Sequence, residues 1–273
     1  MRPLMKENSA FCLQKEAWED IKEYKDNYKK VIKDREQFKV NINYRSPQFS
    51  YRKNLVNHIK KVCIEKKLSQ CCLHLAVYLL DVFMGNNLIS RKNLYLTANV
   101  CLLIAAKFEE SSHLVPRIAE LNSTVNDRYN VVQYKQLEID ILNFFGFFVM
   151  FPRAAHYVYY YIQLAIFQED ITNRGVSLRN IFYDLHERIT MYLDMILDNL
   201  ELTENYHPSK LAAGIIALSR LDNGLSCWTE QLQDITDYEL KDIETEILAI
   251  NHWSISEDNS FHVQTTRLTN FID

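Results

Sequence analysis

The sequence predicts an all-α protein, a duplicated helical domain preceded by an N-terminal amphipathic helix. Only 5 Gly and 5 Pro stand against 16 Tyr and 14 Phe in 273 residues. That is too little turn chemistry for an all-β chain, which needs a breaker about every 8–12 residues. Apolar residues recur instead at three- and four-residue steps, the period of a helix with one buried face. Two short patterns also recur at nearly the same separation. Hydrophobic residues make up 48% and charged residues 24%, a balance that supports folding rather than disorder. The length accommodates two compact domains.

The first element lies between Gln14 and Val40, rich in Lys, Glu and Asp, with Trp18, Ile21, Tyr24, Tyr28 and Val31 on one stripe. A stripe this narrow suits a helix packed onto a larger body better than one building its own core. Met1 to Ala10 reads as frayed, and Ser46-Pro47-Gln48 punctuates the chain, because the residue before a proline is pushed out of helical geometry.

Five helices follow between Tyr51 and Phe148. Leu55, Val56, Ile59, Val62 and Cys63 mark the first, and the run Leu73 to Phe83 marks the second, ended by Gly85-Asn86-Asn87. The third, Asn93 to Phe108, carries no charge before Lys107, and a helix apolar on every face belongs in the middle of a bundle. Ala98, Cys101, Ala105 and Ala106 make it thin enough for close neighbours. Pro116 opens a short fourth helix, and Tyr134 to Phe145 forms an amphipathic fifth.

The pattern then repeats. Ile104-Ala105-Ala106 returns as Leu211-Ala212-Ala213, and Leu137 to Leu142 returns as Ile243 to Leu248, at separations of 107 and 106 residues. A duplicated domain explains the near-equal offsets, and chance likeness between Ala-rich and Leu/Ile-rich helices is the alternative. Pro152 opens the second copy, Pro208-Ser209 starts its thin central helix, and Thr236 with Glu239 forms a capping box before the last helix. The implied organisation is residues 1–45 as tail and amphipathic helix, 46–150 as the first fold and 151–273 as the second.

Composition argues against several classes of function. A formal charge of −4 supplies no positive field for phosphates, so nucleic acid is not an expected partner. The six cysteines show no C-x-x-C spacing and read as free thiols in a reducing compartment, the nucleus and/or the cytoplasm. The longest near-apolar stretch, Ile141 to Phe151, is too short to span a bilayer, so no membrane association is expected. No Gly-rich phosphate loop, G-x-S-x-G or H-E-x-x-H occurs, so no catalytic residue, cofactor or metal site is expected. His74, on an apolar helix, reads as a satisfied core residue rather than a ligand.

Two charges stand out. Lys107 ends the uncharged helix, and Glu138 shares a face with Leu142 and Phe145. Both are expected against apolar surroundings, where an ion needs a partner, so they pair. One reading is a bridge that registers two helices. The other adds that the unused donors and lone pairs face a partner protein. Glu244 matches Glu138 in the repeat but Gly214 matches Lys107, so only the first fold can carry the pair.

At these residues the sequence resembles the cyclins. Tyr51 to His58 is similar to the M-R-A-I-L-V-D-W opening of the cyclin box, Leu73 to Val77 to its second helix, and Ala106 to Glu110 to its S-K-F-E-E motif. Glu138 falls on the box glutamate, and Tyr206-His207-Pro208-Ser209 on the Y-x-P-S of the C-terminal fold. The likeness covers nearly all of the chain after Ser46. Ser46-Pro47-Gln48, His74 to Met84 and Lys107 to Asn122 look closest to the J-type branch. The resemblance implies two tandem five-helix folds in a non-enzymatic subunit that binds and activates a cyclin-dependent protein kinase. Carried over by position, the kinase-binding residues are Ile104, Lys107, Phe108, Glu138, Leu142, Phe147 and Val149; Ile104 and Leu142 are equally credible as plain core. The alternatives are a cyclin-fold transcription-type factor that binds nucleic acid, disfavoured by the charge, and a scaffold with no kinase.

The family's substrate groove is expected to be altered. Its positions here are Tyr51, Asn54, Leu55, His58 and Lys61, of which only the leucine keeps the family's apolar character. Loss of R-x-L docking is expected, with either a different, acidic ligand or plain solvated surface in its place. Lys6-Glu7-Asn8 spells a KEN box, which implies a ubiquitin ligase as a further partner, although chance explains a tripeptide equally well. Two R-x-x-L matches, Arg52 to Leu55 and Arg91 to Leu94, fall in expected helices and read as structural.

Overall fold

A computed structural model describes residues 22–38, 40, 42–44, 46–162, 166, 167, 170 and 178–257. The KEN tripeptide, the stretch 1–10, Trp18 and Ile21 lie outside them. The described residues belong to two units, Met1–Lys39 and Val40–Asp273.

The first unit contains α1 (Lys22–Glu36), with Lys33 and Arg35 in its last turn, where cations favour the negative end of the helix dipole. It ends before Val40, earlier than the apolar spacing suggests. Tyr28 and Val31, expected on the apolar stripe, are exposed, and the neighbouring Ile32 is buried.

In the second unit the helices are α2 (Arg52–Lys66), α3 (Gln70–Asn86), α4 (Leu94–Glu109), α5 (Ile118–Ser123) and α6 (Val131–Phe144), then α7 (Ala154–Ile162), α8 (Leu178–Asp198), α9 (Leu200–Asn205), α10 (Pro208–Asp222), α11 (Glu230–Thr236) and α12 (Leu240–Glu257). No strand occurs among the described residues. The first fold is α2–α6; among the described residues of the second, the short α9 is an addition to five other helices. Each fold wraps a central helix. Around α4 pack α3, α2, α6 and α5, and around α10 pack α7, α12 and α8. Every residue of α4 from Leu96 to Ala106 is buried, which the absence of charge before Lys107 anticipated.

Several boundaries differ from the sequence expectation, each for a local reason. Gly85 lies inside α3 and does not terminate it. Its role is close approach, since a Cβ there would stand 2.7 Å from Ile42 Cγ2 and 2.9 Å from the Asn43 backbone nitrogen. The end of α3 is held by Gln48, whose amide donates to the carbonyls of Met84 and Asn87 and accepts the Ile89 N–H at 2.9 Å. Ser46-Pro47-Gln48 is therefore a plug for the orphan carbonyls of α3. α6 begins three residues before Tyr134, at a capping box in which Asn130 and Gln133 exchange hydrogen bonds at 2.9 Å each. The expected box of Thr236 and Glu239 does not form. The Thr236 hydroxyl donates to Leu232 O within α11, and the Glu239 N–H goes to Asp242 Oδ2 at 2.9 Å, which starts α12.

The two folds are joined through charge. Arg52 on α2 makes a two-pronged ion pair with Asp81 on α3, 2.8 Å on each prong, and also donates to Leu197 O and Asp198 O at the end of α8. Lys60, two turns further along α2, donates to Asp194 O and to the Asp198 carboxylate. Two cations of the first fold thus cap the negative end of the longest described helix of the second. His74 lines a small cavity at this junction. It is core, as expected, but not satisfied there: among the described residues its Nε2 has no hydrogen-bond partner. Burial, helped by His156, Arg153 and Lys60, pushes its ring well below the ordinary histidine range.

Cys63, Cys71, Cys72, Cys101 and Cys227 are free thiols. Burial raises Cys71 to about 12 and Cys227 to about 11, so both stay protonated and behave as small apolar groups.

Candidate docking face on the first fold

The end of α4 and the end of α6 meet at one surface. Lys107 Nζ lies 2.5 Å from Glu138 Oε1, the pairing expected from the sequence. The surroundings differ from the expectation, since the lysine side chain is 51% exposed and only the glutamate, at 15%, is largely covered. An ion pair with its cation half in water contributes roughly 0–1 kcal/mol to stability, so stability is a weak reason for it. Phe108, next to Lys107 in the chain, and Phe147, just past the end of α6, are 47% and 65% exposed. Leu142 and Val149 are partly buried against the core, and Ile104 is fully buried, the plain core position that the sequence left open for it.

Phe147 is held in an unusual backbone. α6 ends with Gly146 and Phe147 both left-handed, at φ 59° and 60°, and the Phe147 N–H returns to Leu142 O at 2.8 Å. Glycine adopts this conformation freely, whereas an ordinary side chain pays of order 1–2 kcal/mol. The result is an exposed aromatic ring just past the end of α6.

The sequence reading missed what Glu109 and Glu110 do. Glu110 Oε1 accepts the Ser69 N–H at 2.7 Å, and Glu109 Oε1 lies 3.0 Å from His156 Nε2 on α7. The available signal was two adjacent acids at the end of an apolar helix, each needing a donor.

The groove positions separate. Leu55, expected as the surviving apolar anchor, is 1% exposed and belongs to the core. Tyr51 carries the Arg91 guanidinium over its ring at 5.2 Å. Asn54 is exposed, and Lys61 is exposed beside Glu65 at 3.9 Å. His58 is engaged inward, 2.7 Å from Asn99 Oδ1 and edge-on to Tyr95, and burial pushes its ring below the ordinary range. Asn99 continues inward to Leu121 O and the Tyr134 hydroxyl. Among the described residues no group of three or more His, Cys, Asp or Glu is placed to hold a metal, and no helix is long and apolar enough to cross a membrane.

Two tandem helical folds around buried central helices, with a lysine in the last turn of the first central helix paired to a glutamate on α6, define a cyclin-type architecture. Residues 21–150 match the family model of the cyclin N-terminal domain and residues 177–268 that of the C-terminal domain. The chain belongs to the cyclin family. It is 33% identical to Cyclin-J of Xenopus laevis over 71% of its own length and 52% of the relative's, so it spans about half of that relative. Its fold matches a viral cyclin from herpesvirus saimiri at a TM-score of 0.63, with 17% identity, covering 82% of this chain and 95% of the other. It also matches a chain in the yeast RNA polymerase II CTD kinase complex at a TM-score of 0.55, with 16% identity, covering 84% and 72%.

Proposed function

We propose that this J-type cyclin binds and activates a cyclin-dependent serine/threonine kinase through the surface around Lys107 and Glu138, acting in cell division or germline development from the nucleus and/or the cytoplasm. The observation that carries the reading is the ion pair whose lysine remains half in water, with exposed Phe108 next to that lysine in the chain and exposed Phe147, in left-handed backbone, just past the end of α6. Such a surface adds little to the stability of the chain and offers charge, hydrogen-bond donors and apolar area to a partner. Phe108, Leu142, Phe147 and Val149 receive apolar side chains of the kinase's mobile helix, and Lys107 and Glu138 bond its backbone.

Activation is differential affinity. An isolated kinase holds that helix away from its site, so its own Lys–Glu pair does not form, and a partner that binds only the assembled arrangement shifts the population toward it. Residues 46–150 are the kinase-binding fold in this reading, and residues 151–273 support it. The KEN tripeptide implies a ubiquitin ligase, tested by whether alanine at residues 6–8 leaves the half-life through mitotic exit unchanged. The main proposal is tested by affinity purification of the full chain from dividing cells. A kinase recovered in stoichiometric amount and active on a generic substrate supports it. Recovery without any kinase contradicts it.

A further inference from the structure

The hydrogen bond between Glu109 and His156 joins the docking face to the other fold. Its chemistry fixes the state of the ring. His156 Nδ1 accepts the Arg153 N–H at 3.0 Å, so the ring proton resides on Nε2 and is donated to Glu109 Oε1, also at 3.0 Å. The imidazole is thus the neutral Nε2–H tautomer and cannot turn over without losing both bonds. Both side chains are largely buried, where a lost hydrogen bond is not replaced freely by water. Arg153 is fixed in turn, since its guanidinium donates to Thr203 O at 3.0 Å and lies over the Tyr78 ring at 4.2 Å.

On its other side the end of α4 is tied by Glu110 to the Ser69 N–H at the start of α3. Lys107 and Phe108 lie in the last turn of α4, immediately before these two gripped residues. α4 ends at Glu109, so no further helical turn holds their direction. Whatever fixes Glu109 and Glu110 therefore fixes the presentation of Lys107 and Phe108.

We infer that Glu109 and His156 are positioning residues for kinase docking, so that the second fold, which supplies His156, sets the geometry of the face on the first. This rests on the kinase-docking reading above. The test uses the full chain with Glu109→Ala, His156→Ala and the double variant, beside Glu109→Gln and His156→Gln, which keep an acceptor and a donor. Hydrogen exchange of the amides of residues 104–110 is followed in the free protein. Affinity is measured against purified cyclin-dependent kinase catalytic subunits tried one at a time, using whichever retains the wild-type chain.

Each alanine variant should speed that exchange and weaken kinase binding about tenfold, with the double variant no worse than either single one, as expected for two members of one contact. The glutamine variants should stay within about threefold of wild type. Additive losses, unchanged exchange, or faster exchange with wild-type affinity would each overturn the inference. If no kinase retains even the wild-type chain while exchange responds as expected, the positioning of the α4 end by the second fold stands and the kinase reading fails instead.

Discussion

The two folds treat the ends of their central helices in opposite ways. In the first, α4 stops two residues after Lys107, and the lysine meets Glu138 half in water. In the second, the equivalent residue is Gly214, and α10 continues to Asp222. A Cβ on Gly214 would lie 3.2 Å from Ile250 Cδ1 and 3.5 Å from Ile247 N, so the glycine lets α12 close over the position that the first fold leaves open. The cation in the last turn of the second helix is Arg220, which is 0% exposed and held by both oxygens of Asp170 at 2.9 Å, by Ser226 O and by the Phe167 ring. One repeat encloses its charge as structure and the other presents it. This difference is consistent with the proposed docking on the first fold and support by the second.

The largest expected effect comes from the enclosed charge. Asp170→Ala removes the carboxylate that balances the buried Arg220 charge and should cost about 3–5 kcal/mol, read by denaturant unfolding. Lys107→Ala, at the presented charge, should cost roughly 0–1 kcal/mol by the same measurement. Equal losses at the two sites would break the comparison.

Glycine substitutions sharpen it at smaller scale. Gly85→Ala places a methyl group against the Asn43 backbone, which cannot swing aside, and should destabilise by about 1–3 kcal/mol. Gly214→Ala meets first the flexible end of Ile250, and the better helix propensity of alanine offsets the crowding, so its net effect should be under about 1 kcal/mol.

The junction between the folds should loosen in acid. Unfolded His74 takes a proton near its ordinary value of about 6.5, whereas the buried ring resists protonation until far lower pH. The unfolded state therefore binds the extra proton as pH falls through that value. Stability is fully present above it and declines below it, by about 1.4 kcal/mol per pH unit for this one group. His58, also shifted downward by burial, acts in the same direction. Unfolding at several pH values should show the slope, and His74→Leu should reduce it by about one proton. An unchanged slope would mean that His74 titrates normally in the folded protein.

The smallest signal is expected at the altered groove. Leu55 is in the core, His58 is committed to Asn99, and Lys61 repels a basic ligand. Fluorescence polarisation with an R-x-L peptide should show no binding at concentrations that saturate a conventional S-phase cyclin, and comparable binding to both would show that an apolar anchor survives.

Local chemistry in the sequence made the helices legible. The uncharged run before Lys107, Pro208 at the start of α10 and the Lys107–Glu138 pairing were all readable from spacing. The Asn130–Gln133 box was present in the sequence but overlooked because Tyr134 began the clearer apolar pattern. Other features had no local signal. Arg52 reaches Leu197 O across 145 residues, and the pairing of Glu109 with His156 depends on how the second fold docks. Leu55 is covered because the fold turns that face of α2 inward, which periodicity permits but does not require. The Lys107–Glu138 ion pair was thus readable in advance, while the contacts that hold its surroundings in place emerged only with tertiary structure.

The most direct test of the central claim is the kinase affinity, per folded molecule, of Lys107→Ala and Glu138→Ala, with melting temperature recorded on the same samples. Truncating one member of a charge pair that becomes desolvated in a complex costs about 2–5 kcal/mol of binding, so affinity should fall at least tenfold while the melting temperature barely moves. A large drop in melting temperature with unchanged affinity per folded molecule would contradict the account and leave the pair as a structural bridge.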